Sequence, residues 1–159
     1  MILVGKIKNL EELEKLSQIL IPFLQYNTYL ILQGELGVGK TTLTQLIAKN
    51  LGIKEKVTSP TFIICQRYKI KDNYYLNHFD FFRLNISDNL EVFQELTIDN
   101  LNIIEWPEKN PQFWQDKKYI HLKIDKQNSG VRVATLNIPF LIKNSLKADI
   151  LTFFSPKNL

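Results

Sequence analysis

Residues 34–41 read Gly34-Glu35-Leu36-Gly37-Val38-Gly39-Lys40-Thr41, and this G-x-x-x-x-G-K-[ST] pattern constrains the chain more than any other feature. The apolar run Tyr29-Leu30-Ile31-Leu32 leads in as a strand, and Thr42 to Lys49 leads out at helical spacing. Glycines let the backbone of such a turn bend so that its N–H groups converge on phosphate oxygens, and the helix N-terminus behind them adds partial positive charge. In this pattern Lys40 is expected to reach the β- and γ-phosphates, and the Thr41 hydroxyl to ligate Mg²⁺. The loop therefore implies an α/β fold that binds a nucleoside triphosphate.

The rest of the chain arranges itself around that unit. Asn9 reads as an N-cap with Glu12 three residues on, and Leu10, Leu13, Leu16, Leu20 and Leu24 recur at helical spacing to about Phe23, where Pro22 ends or kinks the helix. The first core strand is expected at 28–33, and the helix after the loop ends at Leu51 with Gly52 as its stop. Residues 61–70 and 74–80 read as a hairpin turning at Asp72-Asn73. A helix follows over Ser87–Leu96, capped by Ser87 or Asp88, then a short strand Leu101–Glu105 stopped by Trp106-Pro107. Two strands fit 118–125 and 131–138 around the turn Gln127-Asn128-Ser129-Gly130, and Pro139–Phe154 reads as a closing helix. The expectation is a single domain over 1–159, an α/β fold with a mixed sheet flanked by helices.

Bulk properties remove several function classes. The net charge is +4, but only Arg67, Arg83 and Arg132 are arginines and the lysines form no basic block, so the excess reads as a solvated surface rather than a nucleic-acid groove. Cys65 is the lone cysteine, which excludes a disulfide framework and a thiolate metal site and fits a small buried side chain. No run of about 18 apolar residues predicts a membrane span, and the N-terminus lacks the pattern of a signal peptide. These features point to the cytoplasm.

A triphosphate site needs more than its loop. Mg²⁺ prefers hard oxygen ligands, and its usual partner is an apolar strand ending in an acid. Two candidates exist: Glu105 at the end of Ile103-Ile104-Glu105, and Asp80 at the end of Asn77-His78-Phe79-Asp80. In open α/β sheets ligands bind at the carboxyl ends of parallel strands, so both acids are able to face the loop. Ser59 and Thr61, stiffened by Pro60, are placed to reach a γ-phosphate or position water, or simply turn into a strand. Arg83 either neutralises phosphate charge or pairs with Asp80 or Glu91. His78 and His121 have no metal-ligand spacing and read as structural.

Taken in order, Gly34–Thr42, Ser59-Pro60-Thr61-Phe62, His78-Phe79-Asp80-Phe81-Phe82-Arg83-Leu84, Glu95-Leu96 and Ile104-Glu105-Trp106-Pro107-Glu108 resemble the TsaE (YjeE) family over about residues 9–125. The resemblance implies a P-loop core with a mixed sheet and the hairpin inserted. It implies ATP or ADP bound by Gly34, Glu35, Leu36, Gly37, Val38, Gly39, Lys40, Thr41 and Thr42, with Ser59, Thr61 and Arg83 nearby and Asn9 bordering the adenine. It implies Mg²⁺ on Thr41 and Glu105, with Asp80 near the γ-phosphate either as a further metal ligand or as the base that positions water. Lys40, Asp80 and Glu105 form the catalytic set. The implied activity is slow, partner-stimulated ATP hydrolysis. It supports TsaD and TsaB in threonylcarbamoylation of tRNA adenosine next to the anticodon, and tRNA is met only through that complex. A small-molecule or nucleotide kinase on the same fold is the competing reading, and a nucleotide-gated binding module is a third. The chain departs from the family at Leu13, Ser17 and Thr97, where threonine, glycine and glycine are usual, and beyond about residue 126 no motif matches.

Overall fold

The computed structural model describes residues 1–24, 27–139 and 144–156. Along these residues run β1 Ile2–Ile7, α1 Leu10–Leu20, β2 Tyr29–Gln33, α2 Lys40–Asn50, β3 Cys65–Lys71, β4 Tyr74–Asp80, α3 Glu91–Thr97, β5 Leu101–Glu105, β6 Tyr119–Lys126, β7 Arg132–Asn137, α4 Asn144–Phe153 and the two-residue β8 Ser155–Pro156. All strands join one mixed sheet in the order β3-β4-β5-β2-β6-β7-β1-β8.

The centre of that sheet is parallel because its strands are apolar on both faces. In β2, Leu30 and Leu32 bury into one core while Tyr29 and Ile31 bury into the other. In β5, Leu101 and Ile103 belong to the first core and Ile104 to the second. Each fully buried aliphatic side chain of this kind contributes about 1.5–3 kcal/mol relative to exposure. β2 pairs in parallel with β5 and β6, and β4 pairs in parallel with β5, so the carboxyl ends of β4, β5 and β2 lie side by side. The edges are antiparallel: β3 on β4, and β7, β1 and β8 beyond β6. The α/β expectation with a mixed sheet holds, as do the strands over 28–33, 74–80 and 101–105 and the helix stop at Gly52, whose φ is +82°.

Several expectations shift. β1 is an added strand: Leu3, Gly5 and Ile7 alternate inward, a period-2 signal present in the first seven residues. Asn9 caps α1 by accepting the Glu12 N–H at 2.9 Å, as expected, yet Leu10 is 60% exposed and does not join the stripe of Leu13, Leu16 and Leu20. Residues 61–64 form a turn rather than the start of β3, because the Ile63 and Ile64 N–H groups both bond to the Pro60 carbonyl. α3 begins at Glu91, since Asp88 instead accepts the Asn85 N–H and Asn89 accepts that of Glu91. The closing helix is present as α4, while positions 140–143 of the expected span lie outside the described residues.

One departure from the family pattern, Ser17, has a physical account. Ser17 is fully buried and its hydroxyl donates to the Glu14 carbonyl at 2.7 Å while accepting from Asn50 Nδ2 at 2.7 Å, so it ties α1 to α2. At the far end of β4 and β5, Asn77, Asn100 and Asn102 donate to the Leu96, Thr97 and Ile98 carbonyls, which caps the C-terminus of α3 from the sheet.

Candidate functional site

The loop between β2 and α2 needs glycine for two separate reasons. A Cβ on Gly34 would lie 2.4 Å from the Ile124 carbonyl oxygen, so only glycine lets the strand leave the sheet this close to β6. Gly39, the N-cap of α2, has φ +112° and brings no side chain to the helix start. The first-turn N–H groups of α2 are thus left for an anion, in line with the helix dipole. Val38, 1% exposed, anchors the loop in the core beneath.

Lys40 is 4% exposed. Its Nζ donates to the Gly34 and Glu35 carbonyls at 2.6 and 2.8 Å and lies 4.1 Å over the Trp106 ring. Burial pushes the Lys40 pKa below its ordinary 10.5, against the upward pull of Glu105, Glu108 and Asp80. The side chain is therefore a strained cation whose desolvation is incompletely offset by these acids.

The two acids end adjacent parallel strands and are register partners. Glu105, 2% exposed, accepts the Thr41 hydroxyl, whose Oγ1 lies 2.9 Å from Oε1 and 3.0 Å from Oε2. Its Oε1 also lies 2.8 Å from His78 Nε2. Asp80, 4% exposed, is held on both oxygens: Oδ1 accepts the Phe82 N–H at 2.9 Å, and Oδ2 accepts the Ser59 hydroxyl at 3.1 Å and the Thr61 hydroxyl at 2.5 Å. Ser59 and Thr61 also bond each other at 2.8 Å. Both hydroxyls line the pocket, and what they touch in this structure is Asp80.

Backbone strain marks both supports. Ile64 has φ +67° and Trp106 has φ +58°, a left-handed region costly for side chains of this bulk, at about 1–3 kcal/mol each. The Ile64 carbonyl accepts the Asp80 N–H at 2.9 Å, and this turn carries Thr61 onto Asp80. Trp106 precedes a proline, which further restricts it. Its conformation lays the indole over Lys40 and against Phe82, with ring centroids 4.9 Å apart.

These groups surround a cavity of about 230 Å³ lined by Leu36, Gly37, Gly39, Lys40, Thr41, Thr42, Ser59, Thr61, Asp80, Phe82, Glu105 and Trp106. That is smaller than the roughly 300–1,000 Å³ of sites that enclose a whole ligand, so it suits a polyphosphate and its metal rather than an entire nucleotide. Most of the residues expected from sequence meet here. Gly34, Glu35 and Val38 sit behind the lining, Gly34 and Glu35 as carbonyl partners of Lys40. Asn9 is committed to capping α1 and does not line the cavity. The α1 helix nevertheless reaches the loop, since Leu13 Cδ2 lies 3.7 Å from where a Gly39 Cβ would stand. Arg83 pairs with neither Asp80 nor Glu91 among the described residues; its guanidinium stacks 4.1 Å over Phe62 outside the lining.

The donor set fits Mg²⁺. A hydroxyl and a carboxylate already in contact, with a second carboxylate on the next strand, are hard oxygen ligands of the kind this ion takes alongside phosphates and water. No cluster of three or more His, Cys, Asp or Glu able to cage a metal occurs among the described residues. Phe82 and Trp106 line the cavity and His78 contacts Glu105, and reading by residue type missed all three. Strand alternation was the available signal for His78, which lies two positions before Asp80 and hence on the same face. His121 lies outside this lining, 2.9 Å from Gln33 Oε1, and burial lowers its pKa.

A family model described as threonylcarbamoyl adenosine biosynthesis protein TsaE matches residues 7–134. A tRNA threonylcarbamoyladenosine biosynthesis protein TsaE of Nostoc sp. is 36% identical over 117 residues, which cover 70% of this chain and 70% of that protein. A protein of the same name from Streptomyces coelicolor is 34% identical over 121 residues, or 72% and 79% of the two chains. A crystal structure of Bacillus subtilis YdiB superposes with a TM-score of 0.67 over 96% of this chain and 93% of that one, at 23% identity, a likeness of fold.

Proposed function

Because this chain belongs to the TsaE family, we propose that it is an ATP-binding, ATP-hydrolysing subunit that supports threonylcarbamoylation of tRNA adenosine next to the anticodon. The relatives' names give that pathway. The observation that carries the biochemical reading is the contact of the Thr41 hydroxyl with both Glu105 oxygens, at 2.9 and 3.0 Å, directly behind the phosphate loop.

In this reading the loop N–H groups and Lys40 bind the β- and γ-phosphates, and Thr41 and Glu105 hold Mg²⁺. When bound, the ion neutralises charge that develops on the phosphate oxygens. Asp80, with its carboxylate fixed by Ser59, Thr61 and the Phe82 N–H, orients the attacking water and accepts its proton. Trp106, with Phe82 packed against it, covers one side of the Lys40 ammonium.

Two features support slow turnover alone and stimulation by partners, which we assign to TsaD with TsaB. Among the described residues, Lys40 is the sole cationic side chain in the cavity lining, and Arg83 is stacked on Phe62 outside it. Arginines that stabilise phosphoryl transfer are often supplied in trans. Around the cavity stand Leu36 at 81% exposure, Phe62 at 80%, Ile63 at 56% and Phe82 at 42%, an apolar collar of the kind that marks a docking face. A kinase would bring several arginines to the phosphate, and the lining has none. No helix among the described residues is long and apolar enough to cross a membrane, and a cytoplasmic site of action completes the reading.

The test is phosphate release at matched ATP by the chain alone and with both partners from the same source, with analysis of products. We expect slow release alone and a clear rise with partners. Full-speed turnover by the isolated chain, or phosphate transferred to a small acceptor rather than to water, would overturn the proposal.

A further inference from the structure

Among the described residues, the buried imidazole of His78 makes one side-chain hydrogen bond, to Glu105. The side chain is fully buried, its Nε2 lies 2.8 Å from Glu105 Oε1, and its Nδ1 has no hydrogen-bond partner among the described residues. An ionised carboxylate only accepts, so Nε2 donates this bond, and Nδ1 is left without a partner among the described residues. Leaving a buried polar atom unsatisfied costs stability. On this face of the sheet the neighbours of His78 are Leu76 two positions back and Asp80 two positions on along β4, Ile103 opposite on β5 and Gln66 opposite on β3. Leu76 and Ile103 give the ring no polar side-chain partner, so contact with them does not account for an imidazole here.

The carboxylate does account for it. Glu105 is also buried, and its donors are the Thr41 hydroxyl and His78 Nε2. Thr41 touches both oxygens almost equally and so leaves the carboxylate free to rock about that contact. His78 bonds Oε1 alone and fixes the remaining rotation. Oε2 is then the less committed oxygen of a carboxylate that lines the cavity. We propose that His78 is a positioning residue: through Nε2–H it holds the Glu105 carboxylate in the orientation that presents Oε2 to Mg²⁺ in the ATP complex. The inference rests on the nucleotide reading above, and deepens it. Supporting groups that orient metal-ligating side chains are worth about 10–100-fold in metal affinity or activity.

The experiment compares the parent with His78→Leu, His78→Gln and His78→Asn. Gln places an amide N–H near the position of Nε2, and Asn is one methylene too short to do so. ATP affinity is measured by calorimetry in EDTA and in excess Mg²⁺. For H78L and H78N we expect parental affinity in EDTA, with the tightening caused by Mg²⁺ reduced about tenfold or more. H78Q should restore most of it. A general packing defect would change both affinities together. Parental Mg²⁺ tightening in H78L, or, should H78L not fold, in H78N, would overturn the proposal.

Histidine ¹H–¹⁵N spectra of the nucleotide-free protein separate this inference from the functional reading. They should show His78 protonated at Nε2, with a signal perturbed by Glu105→Gln. Protonation at Nδ1 alone, or no response to E105Q, would refute the His78–Glu105 bond. If the parent does not bind ATP more tightly with Mg²⁺, the functional reading fails together with the metal-directed part of this one, and the spectra still decide whether His78 holds Glu105.

Discussion

Lys40→Met separates two opposing effects of one buried cation. Methionine keeps the aliphatic stem against Trp106 and removes the charge. In the folded chain, Lys40 gives up most of its hydration at 4% exposure, in return for two carbonyl contacts at 2.6 and 2.8 Å and the Trp106 face at 4.1 Å. Its lowered pKa states the balance: desolvation outweighs the attraction of Glu105, Glu108 and Asp80. K40M should therefore fold with an unfolding midpoint no lower than the parent's. The sign with pH follows. The unfolded lysine binds its proton more tightly than the folded one, so the parent gains stability as pH rises from the lowered folded pKa toward 10.5, and K40M lacks that gain. Binding moves the other way. A unit charge pair at 4 Å and an effective dielectric of 20 is worth about 4 kcal/mol, and roughly half of that where water reaches the site. ATP affinity should thus fall by about 2–4 kcal/mol, or roughly 30- to 700-fold. Calorimetry gives the affinity, and urea unfolding at several pH values gives the stability. A Kd changed by less than about 1 kcal/mol would refute the loop assignment. A strongly destabilised K40M would refute the desolvation argument.

Asp80→Asn and Glu105→Gln should each leave ATP bound while phosphate release falls at least about tenfold, near the low end for losing an acid–base or metal-positioning group; parental hydrolysis by both would remove them from the mechanism. Thr61→Val keeps shape and removes one donor from Asp80 Oδ2, a charge-assisted bond of about 1.5–3 kcal/mol. Release should drop about tenfold or more at the low end of that range, with ATP affinity near the parent's, and an unchanged rate would show that Asp80 does not depend on this support. Burial pushes the Cys65 thiol up from 9.0 to about 12. At pH 8 the folded chain should react with a thiol reagent roughly a thousandfold more slowly than the unfolded chain, and equal rates would contradict the packing around Cys65.

Where the sequence was legible, one physical rule sufficed. Glycines and the apolar lead-in located the loop, and acids ending apolar strands located Glu105 and Asp80, which proved to be neighbours across a parallel pair. What escaped depended on contacts between distant segments. Thr61 was legible as a hydroxyl beside a proline, but its attachment to Asp80 requires the turn at Ile64, a β-branched residue with φ +67° that no local propensity favours. Trp106 read as a strand stop, and its position over Lys40 comes from a left-handed backbone before Pro107. His78 has no metal-ligand spacing and so reads as structural from sequence, whereas its contact is to an acid on the neighbouring strand. β1 was missed although its alternation was present, because its antiparallel partner β7 lies more than a hundred residues away.

The positions of the supports bear on how the site works. Each acid is immobilised before any ligand arrives: Glu105 by Thr41 and His78, and Asp80 by Ser59, Thr61 and a backbone N–H. Groups fixed in advance need no reorganisation when charge develops, which favours the transition state over the bound substrate. Positive charge is treated differently. Lys40 is preset within the loop, whereas Arg83 lies on the apolar collar, stacked on the 80%-exposed Phe62. A partner that buried Phe62 would displace, redirect or cover Arg83 in the same event. Our reading thus divides the work: the sheet presets the carboxylates, and docking on the collar changes the cationic side of the site. Arg83→Ala should then leave the basal rate of the isolated chain unchanged and alter only the rise caused by partners, which steady-state phosphate release measures directly. An equal loss with and without partners would place Arg83 on the phosphates from the start and refute the division.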